Sequence, residues 1–357
     1  MTNKKHEMTS QLPLETKDLM ADLRQIIDSA RARVATTANY ELTMMYWRIG
    51  ERINRDVLAN QRAEYGKQIV STLARQLQAV YGTRGFEPRS IRRMMQFASK
   101  FPDLKIVSTL STKLSWSHFI EILSLSEPLQ SEFYLTLAAS ERWSVRTLRE
   151  KIDGMLYERT AIATKPDELV RKELAELRDD NALSPDLVFK SPYFLEFTGL
   201  KGMYSEKSLE DSLLAHLEQF INELGNGFCF IARQKRMIID GEDFYLDLLF
   251  YHRRLHRLIA IDLKLGRFKA QYKGQMELYL RWLEKYERVE GENTPIGLIL
   301  CAGKNDEHVE LMHLEESNIR VAEYLTMLPD KKLLEQKLQR AIAYARERIA
   351  ILEQDKL

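Results

Sequence analysis

Cysteine is nearly absent. The 357 residues hold two, Cys229 and Cys301, each inside an apolar run (GFCFIA and GLILCA) and neither with the spacing of a zinc site. The expectation is two buried free thiols in a reducing compartment, the cytoplasm. No apolar run of about 18 residues is present, which excludes a membrane-spanning helix. The opening stretch MTNKKHEMTSQLPLETKDL lacks the apolar centre of a secretory signal. Neither sign of charge is in excess: 53 Lys and Arg stand against 52 Asp and Glu, for a net charge of +1. There is no G-x-x-x-x-G-K-[ST], no G-x-S-x-G and no H-E-x-x-H, so P-loop, nucleophile-elbow and zincin chemistries find no support. The GNG at 225–227 reads as a helix stop. Low-complexity segments are missing, and the only internal repetition is a loose doubling of three-helix groups.

What is there suits two domains of ordinary size. Residues 1–170 carry 25 Lys and Arg against 20 Asp and Glu, and the remainder carries 28 against 32, so a mildly basic half precedes an acidic one. Through residues 14–160 apolar side chains recur three and four apart, as in LMADLRQIIDSARARVATTANYELTMMYWRIGERI, and no strand pattern intervenes. Ser144 is the expected N-cap of the helix SVRTLREKIDGML. Residues 161–195 read as a connection: a polar helix, TKPDELVRKELAELRDDN, then the proline-punctuated ALSPDLVFKSPYF. Beyond residue 200 the order is α-β-β-β-α-β-α-β, a mixed α/β domain. Its first helix, SEKSLEDSLLAHLEQFINELG, should stop at Gly225, and DEHVELMHLEES should form its last. The domains are therefore drawn as 1–160, 161–195, 196–330 and a C-terminal helix over 331–357.

Chemistry concentrates in FYLDLLFYHRRLHRLIAIDLKLG. If RRLH is the turn of a hairpin, paired positions sum to about 509 and Asp247 stands directly opposite Asp262. Lys264, two residues on, shares that face. Phe244, Leu246, Leu248, Phe250, Ile259, Ile261 and Leu263 then form an apolar opposite face. Opposed carboxylates on otherwise apolar strands require compensation, which Lys264 supplies in part and a divalent cation can complete. Mg²⁺ (or Mn²⁺) suits Asp247 and Asp262, because such ions prefer oxygen ligands and keep several waters. Near such an ion the pKa of a bound water falls and charge on a phosphoryl group is neutralised. His252 and His256 bracket the turn and are expected to face solvent or phosphate, since no third ligand accompanies them.

Acid on one strand, acid-x-Lys on the next, then a helix, resembles the PD-(D/E)XK nuclease superfamily. Asp247 matches its first acid and Asp262-Leu263-Lys264 its second motif. Gln275 and Tyr279 match the Gln-x-x-x-Tyr element of some branches, and Glu210 their helical carboxylate. Across roughly residues 20–345 the chain resembles the YhcG-type family of bacterial proteins, through YWRIGERI, EYGKQIV, LSWSHF, WSVRTLREKI, YFLEFTGL, ELGNGFCFIARQ, FYLDLLFYHRRL and IDLKLG. The resemblance implies an α-helical N-terminal domain joined to a restriction-endonuclease-like α/β domain, with metal-dependent hydrolysis of DNA in genome defence or DNA processing. The sequence departs from the strict pattern at Leu246, where proline is usual, and at Asp262, where Glu is commoner. Gln275 and Tyr279 share a helical face, and either contact substrate, lock the strands or simply pack on the sheet. Glu210 has Glu206, Glu218 and Glu223 as companions on a helix whose charges are mostly expected in solvent. Gln234 falls in a strand with no evident partner.

In the helical half Arg84, Arg89, Arg92, Arg93 and Lys100 crowd one short stretch against Glu87 alone. Helix, turn and basic helix is how helix-turn-helix readers present a recognition helix, although GTRGFEP is a long turn. Arg89, Arg92, Arg93 and Lys100 are the expected phosphate contacts, and Arg146 and Arg149 form a fainter copy. The expectation is a DNA phosphodiesterase, with RNA open, whose helical domain binds DNA or mediates self-association or a protein partner. The alternative is a binding or assembly protein with a vestigial centre.

Overall fold

The computed structural model describes residues 14–59, 63–82, 85–304, 309 and 311–354. The chain forms two compact units that divide between Ser131 and Glu132.

The first unit is helical throughout its described residues: α1 (Leu14–Ala59), α2 (Ala63–Tyr81), α3 (Pro88–Lys100), α4 (Leu104–Ser111) and α5 (Trp116–Ile122). Pro88 opens α3, where a missing N–H costs nothing. Ile91, Met94, Phe97 and Ala98 bury its inner face. Helix α3 crosses α1 at Gly50, where a Cβ would lie 1.9 Å from the carbonyl oxygen of Met94, so no larger residue fits that crossing. Phe97 anchors an aromatic group, its ring centroid 5.2 Å from that of Trp116 and 4.9 Å from that of Phe119.

Helix α6 (Pro128–Glu141) contains the division and leads, in the second unit, into α7 (Val145–Asp153), α8 (Leu156–Arg159) and α9 (Asp167–Asp179). Ser144 caps α7 as expected, its Oγ accepting the Thr147 N–H at 3.0 Å. The segment 161–195 packs closely into this unit. Helix α9 is amphipathic and buries Val170, Leu174 and Leu177, and Tyr193–Phe194 forms a short strand, β1. Arg159 is almost fully buried beside them. Its guanidinium donates to the carbonyls of Gly154 and Pro192 and to Glu223, 2.6 Å away, and lies 3.7 Å from the centre of the Phe194 ring. Lys190 donates to the Glu223 carbonyl from the other side. Lys190 Nζ also lies 3.7 Å from Glu223 Oε1, so Glu223, expected in solvent, is a half-buried carboxylate between two cations.

The sheet comprises β1, β2 (Phe228–Ile239), β3 (Glu242–His252), β4 (Arg257–Arg267), β5 (Ile296–Gly303) and β6 (Ile319–Leu325), in the order β1-β6-β5-β4-β3-β2. Strands β2, β3 and β4 form an antiparallel meander, and β4, β5, β6 and β1 run parallel. The expected order is present from the leading helix through β5, and the expected last strand is β6; β1 is an addition. The leading helix is split into α10 (Glu206–Ala215) and α11 (Leu217–Leu224), because His216 leaves helical geometry at φ −118°, ψ 39°. Gly225 ends α11 at φ 121°, open to glycine alone at little cost. The helix expected over DEHVELMHLEES lies largely outside the described residues, as does Arg84; its described tail is a 3₁₀ turn, Leu314–Ser317. Helix α12 (Gln271–Tyr286) covers one face with Met276, Tyr279 and Leu283. Helices α10 and α11 cover the other with Leu209, Leu213 and Phe220. Strand β4 lies at the centre and is buried from Leu258 to Leu263. The C-terminal helix Lys331–Gln354 packs Leu334 and Leu338 on Met155.

Two local expectations are corrected. Cys229 is exposed, because it alternates with the buried Phe228 on edge strand β2; Cys301 is buried as expected. His256 sits exposed in the hairpin turn, but His252 is fully buried. Its ring meets Phe228 edge-on at 4.8 Å, and its Nδ1 accepts the Leu255 N–H at 3.1 Å. Burial, aided by Arg254 and Arg257, pushes its pKa down from 6.5 to about 4.

The native state therefore binds the His252 proton less readily than the unfolded chain, so this contribution is complete above about pH 6.5 and is lost as pH falls through about 4. At its limit it amounts to about 3 kcal/mol. Urea titrations between pH 7 and pH 4 should show a steeper loss of stability for the native chain than for His252→Asn, which retains an acceptor for Leu255. Identical pH slopes would show that His252 titrates normally.

Candidate active site

The hairpin register is the one expected. Leu248 pairs with Ile261, Leu249 with Ala260, Phe250 with Ile259, and so on to His252 with Arg257 around the turn Arg253–His256. The ladder ends at Leu248 and Ile261, one step before the two acids would oppose each other. Strand β4 continues on β5, with Asp262 beside Ile299 and Lys264 beside Cys301. A fork thus opens between β3 and β4, and Asp247 fills it. Its Oδ2 accepts the Leu263 N–H at 2.7 Å, in place of a backbone acceptor.

A second irregularity coincides with the first. The β2–β3 ladder pairs Arg233 with Leu248 and Lys235 with Leu246 but skips the step between, Gln234 and Asp247. Gln234 has φ +44°, the left-handed region that non-glycine residues adopt only at a cost. The expected apolar face is accordingly broken here. Leu248, Phe250, Ile259, Ile261 and Leu263 pack with α10 and α11 as expected, but Leu246 and Phe244 turn to the α12 side.

Four expected residues gather at this fork. Asp262 is 2% exposed, and its Oδ2 lies 2.8 Å from Lys264 Nζ. Burial outweighs that lysine and pushes its pKa up to about 6, with the Asp247 charge adding to the rise. Burial works against the Lys264 ammonium too, but Asp262 more than offsets it, and the Lys264 pKa rises. Glu210 is buried on α10, its Oε2 accepting from Gln234 Nε2 at 2.8 Å and its Oε1 3.0 Å from Arg233 Nε. The same Gln234 amide donates to Asp247 Oδ1 at 3.0 Å. Gln234 thereby links the helical carboxylate to the strand carboxylate through a neutral donor. The sequence offered no partner for it; only a fold that brings α10 and β3 together reveals the role. Glu206 is a further addition, accepting the Leu265 N–H at 3.4 Å.

Gln275 and Tyr279 stand one step away. Gln275 Nε2 donates to the Tyr279 hydroxyl at 2.6 Å, and that hydroxyl donates to the Tyr245 carbonyl at 3.3 Å. Of the roles open to them, this geometry is that of a lock, fastening α12 to β3 two residues before Asp247. Arg89 and Arg92 are exposed on α3, and Arg93 is half-buried. Lys100, expected beside them, is spent elsewhere: its Nζ donates to the carbonyls of Ile122 and Leu125 at the end of α5. Arg146 pairs with Glu150 along α7.

The donor set fits a hard divalent cation. Asp262 Oδ2 and Glu210 Oε1 are buried, each with one cationic neighbour, Lys264 Nζ at 2.8 Å and Arg233 Nε at 3.0 Å. Asp247, Asp262 and Glu210 outnumber Lys264 and Arg233 there, and the negative charge left over in such surroundings favours a cation. Among the described residues no three acidic, histidine or cysteine side chains form a ready cage.

Over 354 aligned residues the chain is 33% identical to a protein of Escherichia coli (strain K12) named "Putative nuclease YhcG", covering 90% of this chain and 93% of that one. The chain belongs to the YhcG family. Residues 186–339 match the model of the YhcG PDDEXK nuclease domain, and residues 22–159 that of the DUF1016 N-terminal domain. Two solved structures also match: a repair endonuclease from Pyrococcus abyssi (18% identity, TM-score 0.26) and EndoMS in apo form (17%, 0.24). Each match spans 36% of this chain and about half of the other, 50% and 48%, and is too distant to carry an argument. The C-terminal part of this YhcG-family chain is thus a nuclease domain of PD-(D/E)XK type, on the helix-flanked mixed sheet described above.

In Gln234→Ala the two bridging hydrogen bonds are lost while the backbone strain remains; in Gln234→Gly the strain is relieved as well. Alanine should destabilise the chain by ~1–3 kcal/mol in chemical denaturation, with glycine recovering up to about 1 kcal/mol of that loss. Native-like stability in both variants would show that the bridge holds nothing together.

Proposed function

We propose that the chain is a divalent-metal-dependent phosphodiesterase acting on DNA, with Asp247 and Asp262 as the carboxylates that hold the ion and Lys264 as the cation facing the scissile phosphate. The observation that carries this reading is the buried Asp262–Lys264 pair beside Asp247 at the β3–β4 fork. In the reaction, water adds to phosphorus and releases a proton to solvent, the bond from phosphorus to the ester oxygen breaks, and the departing oxygen takes a proton from solvent. A cation bound by the two acids supplies charge neutralisation and a more acidic water. The Lys264 ammonium offsets charge gathering on the phosphate oxygens. Glu210, through Gln234, keeps Asp247 in place, and the Gln275–Tyr279 lock fixes the strand that bears it. The resemblance within the family supports a role in genome defence or DNA processing.

With Mg²⁺ or Mn²⁺, the purified chain should cleave at least one substrate among linear, branched, modified and single-stranded DNA, and EDTA should stop it. RNA belongs in the same screen, because this centre recognises a phosphodiester and not a sugar. Asp262→Ala and Lys264→Ala should each abolish cleavage with an unchanged circular dichroism spectrum. Full activity in either would sink the assignment.

One observation favours a second reading, a binding protein with a silent centre. Asp247 accepts from Gln234 and Leu263, and Asp262 rests on Lys264, so the acids have partners without any ion. Calorimetric titration separates the two: no Mg²⁺ or Mn²⁺ uptake in the presence of DNA, with no cleavage of any substrate, favours the silent centre.

We further propose that the first unit anchors DNA through α3. Arg89 and Arg92 are exposed, and Arg93 is half-buried beside them. Phosphate contacts release counterions, so changing these three arginines to alanine should weaken binding and flatten the salt slope by up to about three units. Cleavage at saturating DNA should survive. Unchanged affinity and slope would make this helix a scaffold for self-association or a protein partner.

A further inference from the structure

Helix α12 carries a stripe that leads away from the catalytic fork. Gln275, Tyr279, Trp282 and Tyr286 follow one another at intervals of four, three and four residues, so they share one helical face. The stripe is buried where it meets β3, at Tyr279, and emerges at its far end. Trp282 is half-buried, and Tyr286 is 59% exposed. Their rings lie 5.2 Å apart at 46°. Together with Arg236 and Ile238 of edge strand β2 they line an open groove of about 470 Å³.

Core packing does not account for this groove, because Tyr286 and Ile238 both stand open to solvent. Three cationic side chains border it, two of them paired with acids. Lys235 Nζ lies 5.9 Å from the centre of the Trp282 ring, and Lys285 Nζ lies 4.8 Å from that of Tyr286. Arg236 is held in place by both oxygens of Asp243, at 2.8 and 3.1 Å, and Lys235 pairs with Glu287. Exposed aromatic faces beside lysine and arginine suit a flat, π-rich group attached to a polyanion. An unpaired nucleobase with its phosphates is such a group.

Tyr279 hydrogen-bonds the Tyr245 carbonyl, two residues before Asp247, and Tyr286 lies seven residues further along α12, about 10 Å at ~1.5 Å per residue. A strand held at the fork would reach the groove within a few nucleotides. We propose that this groove is a stacking subsite for an unpaired base of the same nucleic acid whose phosphodiester lies at Asp247 and Asp262. The inference rests on the phosphodiesterase reading, and it names the substrate class: DNA with a single-stranded or splayed segment beside the cut. In a perfect duplex the bases are stacked on one another and cannot reach Trp282 and Tyr286.

The test is fluorescence anisotropy with the full chain in EDTA, using a labelled oligodeoxythymidylate and a blunt duplex of the same length. Tyr286→Ala should weaken binding of the single strand about tenfold, in line with the loss of one stacked base. It should leave the blunt duplex within about twofold, and Tyr286→Phe, which keeps the ring, should bind both like the native chain. Melting curves of both variants should match the native one, since Tyr286 is exposed. The proposal is overturned if the native chain binds no single strand, or if Tyr286→Ala binds it undiminished. It is overturned equally if phenylalanine loses as much as alanine, or if the duplex weakens as much as the single strand. An occupant held instead by the free edge of β2, such as an extended peptide, would produce that indifference to Tyr286. Parallel cleavage assays keep the two readings apart. Undiminished single-strand binding in Tyr286→Ala with cleavage by the native chain rejects the subsite alone. The expected loss of binding with no cleavage of any DNA rejects the phosphodiesterase alone.

Discussion

The parting of β3 from β4 is the constraint around which the nuclease domain is organised. A central strand covered on both faces has no room for a charged side chain while its ladders are complete. Where the ladder stops after Leu248 and Ile261, the Leu263 N–H loses its strand partner, and the Asp247 carboxylate takes that place. One event thus satisfies a backbone donor, fixes an acid and opens the space in which Asp262 and Lys264 meet. The left-handed backbone at Gln234 belongs to the same event, because it turns Leu246 and Phe244 toward α12 while the amide reaches Asp247.

Negative charge at the fork is distributed so that no acid stands alone. Glu210 shares Gln234 with Asp247 and meets Arg233, and Asp262 meets Lys264. This arrangement is tolerable without being comfortable, as the raised Asp262 and Glu210 pKa values attest, burial being the larger cause in both. Three carboxylates against two cationic side chains leave room at the fork for further positive charge.

Much of this was legible in the sequence, for definite physical reasons. Period-two apolar patterning and the RRLH turn sufficed to fix the hairpin register, since a slip by one residue would turn every core side chain outward. Capping at Ser144 and the stop at Gly225 are local chemistry and were equally legible. Features that depend on who sits opposite were not. Lys100 reads as one more surface cation until α5 brings its carbonyls alongside. His252 reads as a turn histidine until Phe228 closes over it. The break at His216 and the role of Gln234 have no local signal, and the two residues of β1 become a strand only because β6 lies beside them.

Arg159 carries a consequence for how the polypeptide can be divided. It lies at the end of a short helix, within the segment matched to the N-terminal family model, yet its guanidinium is buried against Glu223, Pro192 and Phe194 of the nuclease part. A nuclease fragment cut to begin at residue 161 would leave Glu223 with Lys190 as its only buried counterion, and stranding one member of such a group typically costs about 3–5 kcal/mol. The compact unit that holds the nuclease part therefore begins upstream of the boundary that sequence families draw, within α6.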